Sequence, residues 1–230
     1  FKGLAATQRR AFHGGRSKRL SFDTVMSQQL LAIALPLVLL YVAFWLWYGG
    51  NGQRMSPEEI EAALNQLQST NPGHDNASEV EDVRQLLASD DGKEFVMQNL
   101  VRYRAKALYP EGTHFSDDPR EADKRYGKSI IGDLLRYGNL VIFIARKSGD
   151  FVRPDGADAW HYVAMVRYRS RRDFVRFALR ANQADKFMHK WAAIEKTHVF
   201  PVKPLISLAA VRTLVALTLF TIGVILTRLL

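Results

Sequence analysis

The sequence predicts an α+β domain, ordered β-α-β-β-α-β, held between two transmembrane helices. Three observations predict it. Two runs of about twenty apolar residues lie near the two ends of the chain. Four runs rich in Val, Ile, Phe and Tyr lie between them, separated by segments that carry helix-start signals. A short internal echo repeats after 65 residues.

The first apolar run is Leu30 to Tyr48, 19 residues without a charge. At about 1.5 Å per residue it approaches the ~30 Å of a hydrocarbon core. Trp45, Trp47 and Tyr48 close it with side chains suited to a membrane interface. Pro36 removes one backbone donor inside it and predicts a mild kink. The second run is Leu205 to Leu226, 22 residues with Arg212 as the only charge. Arg212 either snorkels to the near interface or meets a partner or headgroup. Ala209, Thr213, Ala216, Gly223 and Thr227 share one narrow face of small residues, interrupted by Phe220. Such a face lets helices approach closely.

Charge orients the spans. Lys2, Arg9, Arg10, Arg16, Lys18 and Arg19 precede the first span, and only Arg54 follows it closely. The positive-inside rule then places both ends in the cytoplasm of a bacterial inner membrane and the middle domain in the periplasm. The Arg-rich, acid-poor start also fits a mitochondrial targeting segment, which makes the mitochondrial inner membrane the alternative. The expected divisions are a basic segment 1–29, a span 30–48, a linker with two helices 49–93, the α/β domain 94–202, a span 205–226 and a tail 227–230.

The linker opens with Ser56-Pro57-Glu58-Glu59, a capping box that predicts a helix to about Gln68. After a polar loop, Ser78 and Glu81 predict a second capped helix to about Ala88. EFVMQNLVRYR, from Glu94, reads as the first strand. Asp118-Pro119 then starts a helix that runs to about Tyr137 and stops at Gly138. LVIFIAR, Leu140 to Arg146, reads as a strand buried on both faces. Trp160 to Arg169 is the third strand. Ser170 with Asp173 starts a helix, broken near Asn182, that extends to about Lys196, and Thr197 to Val202 is the fourth strand. Leu100–Arg104 echoes Met165–Arg169, which predicts a duplicated split βαβ, a ferredoxin-like sandwich.

Composition excludes several classes. The chain has no cysteine, so disulfides, thiolate metal sites and cysteine nucleophiles are absent. Its net charge is +9, of which the first 48 residues carry +5, and the middle is nearly neutral. That distribution argues against a nucleic-acid-binding domain. None of the six histidines has metal-ligand spacing, and no phosphate loop or nucleophile elbow occurs. No cofactor is expected.

FVMQNLVRYRAKALYPEG, YVAMVRYRSRRDFVRF and HKWAAIEKTHVFPV carry a resemblance. With them, residues 94–202 resemble the dimeric α/β-barrel superfamily, nearest an uncharacterised bacterial domain family. That superfamily also includes antibiotic-biosynthesis monooxygenases and EthD-like proteins. The resemblance implies sheets of two protomers packed face to face, with a ligand cleft in some members. The flanking spans depart from its usual soluble members. Haem-degrading members use Asn, His and Trp; Asn99, His189 and Trp191 are of those types, but their spacing differs and the roles are not carried over.

Strand alternation places Gln98, Leu100 and Arg102 on one side of the first strand. The echo places Val163, Met165 and Arg167 on the equivalent side, with His161 further along. If that side is open, Gln98, Arg102, His161 and Arg167 form a ligand-binding set in which two guanidiniums hold an anionic group. The competing reading has the arginines ending strands and pairing with acids at a dimer rim. Asp185 and His189, one helical turn apart, either orient an imidazole or share a solvated face. The expected function is a non-catalytic, membrane-anchored accessory or scaffold subunit, as a homodimer or within a membrane complex. Membrane lipid is the other expected partner. The alternative is a membrane-tethered, cofactor-independent enzyme acting on a small hydrophobic substrate.

Overall fold

A computed structural model describes residues 11–50, 52–69, 77–205 and 211–229, with residues 11–27 and 77 in backbone only. The described residues form seven helices and four strands, an α+β protein. The chain divides into two units, one of residues 1–45 with 210–230 and one of 46–209.

Helix α1 (Ala11–Gly49) runs without interruption through Pro36. Helix α7 (Val211–Leu229) is the last element. Two stretches are long and apolar enough to cross a membrane, Gln28–Gly49 and Val211–Leu229. In the first unit Gly223 lies against the first span: a Cβ there would stand 3.1 Å from Leu37 Cδ1. Arg212 places its guanidinium 4.8 Å from the centre of the Trp45 ring, a cation–π contact that accounts for a charge inside the apolar run. Of the small-residue face, Ala216 and Gly223 are half-buried, Thr213 is exposed, and Ala209 falls outside the described residues.

The second unit begins with the end of α1. Helix α2 (Pro57–Ser69) follows, and its capping box is closed: Ser56 N–H donates to Glu59 Oε2 (2.8 Å) and Glu59 N–H to Ser56 Oγ (3.2 Å). Helix α3 (Ala77–Ala88) starts before Ser78, so Ser78 sits in the first turn and is not its cap. Strand β1 (Phe95–Tyr103) leads to helix α4 (Pro119–Arg136). Asp118 caps α4 by accepting the Arg120 N–H at 2.8 Å. Gly138, with φ +68°, ends it in a conformation that a side chain would strain. Strands β2 (Leu140–Arg146) and β3 (Tyr162–Tyr168) follow. The predicted long helix is broken at Asn182 into α5 (Arg171–Ala181) and α6 (Ala184–Ala193). Strand β4 (Ile194–Val202) starts three residues earlier than expected and bulges opposite Arg102/Tyr103.

The four strands form one antiparallel sheet in the order β2-β3-β1-β4. Strand β2 is therefore an edge and not buried on both faces. Phe143 and Ile144 are about half exposed or more, and the register slips between Val141 and Phe143. One face of the sheet carries Phe95, Met97, Val101, Tyr168 and Ile194 into clusters with Leu134 of α4, Phe177 of α5 and Ala192 of α6. A third cluster joins α2, α3 and α5 through Leu64, Leu87 and Val175. None of the three clusters takes a residue from the opposite face, where Gln98, Leu100, Phe143, Val163, Met165 and Phe200 lie.

Candidate functional site

The four nominated ligand residues do not converge. Gln98, Arg102 and Arg167 share the sheet face turned away from helices α4, α5 and α6. Asn99 pairs with Ala164, however, and these two are themselves related by the 65-residue echo. Antiparallel pairing about that point sends every echoed pair to opposite ends of the sheet. Arg167 lies beside Val96, about 20 Å along the strand from Arg102 at ~3.4 Å per residue.

Each arginine has local work. Arg102 pairs with Glu195 (2.8 Å) and, at 3.6 Å, with Asp158, both acids of its own chain. The Arg167 side chain is 4% exposed. It donates to Gly138 O and Tyr48 O, each at 2.8 Å, and pairs with Glu94. Its guanidinium stacks 3.6 Å from the Tyr48 ring centre. Next to it, Arg169 donates to Trp47 O (2.7 Å) and pairs with buried Asp173. Two guanidiniums thus satisfy the last carbonyls of α1, where the helix dipole is negative. His161 turns to Tyr103, whose N–H donates to His161 Nδ1 at 3.0 Å. That bond leaves the proton on Nε2.

The chemistry gathers on the other side of the sheet. A cavity of ≈ 1720 Å³ lies between the strands and helices α2 to α6. Its sheet wall includes Asn99, Tyr103 and Tyr162; its helix wall includes Asp123, Lys190 and Trp191. Tyr103 OH donates to Asp123 Oδ2 (2.8 Å), and Tyr162 OH reaches Oδ1 at 3.4 Å. Burial pushes the Asp123 carboxyl up from its ordinary range, against the lowering effect of those hydroxyls and of Lys190. Burial, then the Asp123 carboxylate, push both tyrosines up. Burial holds Lys190 below an ordinary lysine, although Glu79 and Asp123 oppose it. Asn99 Nδ2 donates to Met97 O (3.2 Å) and Ala164 O (3.4 Å), which fixes its amide at the centre of the sheet wall.

His189 bonds Tyr109 OH through Nδ1 at 2.9 Å. Burial, then Arg125, lower its pKa, and Asp185 only partly restores it. Its ring packs edge-on against Phe115. Asn99 and Trp191 line the cavity together, but His189 does not. Among the described residues no group of three His, Asp or Glu side chains is arranged to hold a metal. Sequence reasoning missed Asp123, Tyr162 and Lys190 as a group. Each is unremarkable in its own segment, and only the packing of α4 and α6 on the sheet, where β3 carries Tyr162, assembles them.

The class defined so far is an α+β protein with a four-stranded antiparallel sheet and two helices able to span a membrane. No family model and no curated protein matches the chain. Two crystal structures are similar to it, one of methylated RPA0582 protein and one of RPA0582, a protein of unknown function from Rhodopseudomonas palustris. Both are 28% identical to it and align over 55% of this chain, covering 91% and 94% of theirs with TM-scores of 0.49 and 0.48.

Proposed function

We propose that this chain is a membrane-anchored, non-catalytic scaffold or accessory subunit that works through its α/β domain. Residues 94–202 are read as a ferredoxin-like sandwich of the dimeric α/β-barrel kind. In this reading both termini are cytoplasmic and the domain is periplasmic. One observation carries the proposal: helices α4, α5 and α6 pack on one face of the sheet, and the other face, covered by the end of α1 only around Arg167, presents Leu100, Phe143, Val163, Met165 and Phe200 around Gln98. An apolar sheet face of that kind is stabilised by burial, at about 25 cal/mol per Å². A second copy of the sheet is the partner that its own pattern fits. Arg102 with Glu195 and Asp158 supplies a charged rim.

The experiment is gentle extraction of the full chain followed by mass measurement in detergent. The expected species is a dimer or a larger complex; a lone monomer at micromolar concentration refutes the scaffold. Protease added to spheroplasts is expected to remove the domain. Protection there, with loss in inside-out vesicles, reverses the topology.

A second reading, a membrane-tethered enzyme for a small hydrophobic substrate, has one observation in its favour. The cavity holds a carboxyl of raised pKa, two tyrosine hydroxyls and a lysine together. Of the four nominated residues only His161 lines that cavity; Arg102 and Arg167 are engaged elsewhere.

A further inference from the structure

The cavity between sheet and helices reaches the surface between α4 and the edge strand β2, and its two lips differ in kind. Strand β2 supplies an apolar lip. Val141 and Ile144 face the helix side, opposite Val166 and Ala164, line the cavity and stay exposed. Helix α4 supplies a cationic lip, where Arg120, Lys124 and Lys128 recur one turn apart. Arg146 joins them from the end of β2, opposite Tyr162 on the same side of the sheet. Among the described residues none of these four cations has an acid within ion-pair distance, whereas Arg125 on the same helix is paired with Glu121. Like charges one turn apart repel, so such a row is stabilised by an anion. Arg120 and Arg146 are both close enough to Tyr103 to favour its ionised form. The nearby acids are taken. Glu121 holds Arg125, and the two Asp123 oxygens accept tyrosine hydroxyls. The other acids of the lining, Glu79 and Asp82, belong to α3. The Lys190 ammonium lies over the Phe187 and Trp191 rings. Val80, Val83, Val101 and Val166 give the interior an apolar wall.

We propose that this cavity binds a single-chain amphiphile with an anionic head, a long-chain carboxylate: Arg120 and Arg146 hold the head at the mouth, and the chain passes Ile144 into the apolar interior. Guanidiniums suit a carboxylate through charge-assisted, fork-shaped hydrogen bonding. Each methylene taken out of water adds to the affinity. Position selects a free chain over a phospholipid. Arg146 stands six residues along β2 from Leu140, roughly 20 Å, and Leu140 pairs with Arg167, which bonds Tyr48 O at the end of α1. A head held that far from the end of a span belongs to a molecule that has left the bilayer. That choice rests on α1 crossing a membrane; the site itself does not, and neither depends on what covers the open sheet face.

The test places the full chain in phosphatidylcholine nanodiscs at mildly alkaline pH with a palmitate analogue carrying a mid-chain diazirine. Illumination fixes the analogue, and peptide mass spectrometry locates it. Label is expected on the cavity-lining segments of α3, β2 and β3, besides lipid-phase label on Gln28–Gly49 and Val211–Leu229. Unlabelled palmitate is expected to remove the cavity label at a concentration at least about tenfold lower than hexadecanol, which has the chain without the charge. Arg120→Gln with Arg146→Gln, both at exposed positions, lowers the cavity label at least about tenfold. Arg136→Gln, exposed on α4 but outside the cavity lining, leaves it unchanged. Label confined to the two spans, or equal competition by palmitate and hexadecanol in the unsubstituted chain, overturns the site whatever the variants do. Undiminished cavity label in the double variant overturns the role of the arginines. Replacing part of the phosphatidylcholine by phosphatidylglycerol is expected to leave the cavity label in place; its loss there identifies a phospholipid occupant and overturns the free chain.

Discussion

Replacing Arg167 by methionine removes its donors at the end of α1, leaving that of Arg169 to Trp47 O, while keeping most of the side-chain volume. The guanidinium is 4% exposed and serves Tyr48 O, Gly138 O and Glu94, with the Tyr48 ring stacked on it at 3.6 Å. Two carbonyls of buried residues lose a charged donor, at about 1–3 kcal/mol each. The lost cation–π contact adds up to about 2 kcal/mol when desolvated. Glu94 is 42% exposed on its side chain and rehydrates, so its share is discounted. Recovering the hydration of a buried guanidinium offsets part of the total. The net expectation is a loss of about 3 kcal/mol. For a chain of this size that lowers the melting temperature by roughly 6–12 °C. The assay is thermal melting of the full chain in detergent, followed by circular dichroism. Arg167→Lys falls between the two, because one ammonium cannot serve three acceptors placed around a planar fork. A methionine variant that melts within about 2 °C of the unsubstituted chain refutes the reasoning. The Arg167 contacts would then be incidental to stability.

Three further outcomes follow from the same structure. Gly138→Ala is expected to cost about 1–3 kcal/mol, because the residue has φ +68° and its new Cβ would meet Arg169 Cδ at 3.0 Å and Trp47 O at 3.1 Å; the detergent melt checks it, and a neutral result removes the tight-turn argument. Asp123 has a folded pKa above its unfolded value of about 3.9. The folded state therefore binds more protons, and stability falls as pH rises from the unfolded pKa through the folded one. Asp123→Asn abolishes that decline, and parallel pH–stability curves for the two proteins would contradict it. The chain has no cysteine of its own, so Leu37→Cys with Gly223→Cys is a clean pair, expected to cross-link under oxidation or with a short thiol reagent in intact membranes. Absence of any cross-link separates the two helices.

Local chemistry was legible, and long-range placement was not. Asp118-Pro119 and Gly138 announced both ends of α4, and the structure shows the capping bond and the positive φ that such residues serve. The Ser56/Glu59 box likewise closed as its spacing required. Ser78 misled because a serine near a helix start looks like a cap when only the sequence is read; the backbone had already turned helical at Ala77. LVIFIAR looked doubly buried because a run of apolar residues does not say where its strand falls in the sheet. As an edge strand, β2 leaves Val141, Phe143 and Ile144 partly in solvent. The arginine site failed for a geometric reason. Echoed residues were assumed to lie together, and an antiparallel pair centred on Asn99 and Ala164 separates them. Asp123 and Lys190, 67 positions apart, leave no local pattern for their meeting.

The slipped register of β2 has a consequence for how this chain survives its own synthesis. An outermost strand reading Val-Ile-Phe-Ile is a template on which a half-made neighbour could grow. The irregularity between Val141 and Phe143 breaks the even row of amide groups that such growth needs. At the far border, Pro201 withholds a donor from the outer row of β4. Straightening the first border, by deleting the extra residue, would turn a tolerated greasy margin into a seed for fibrils.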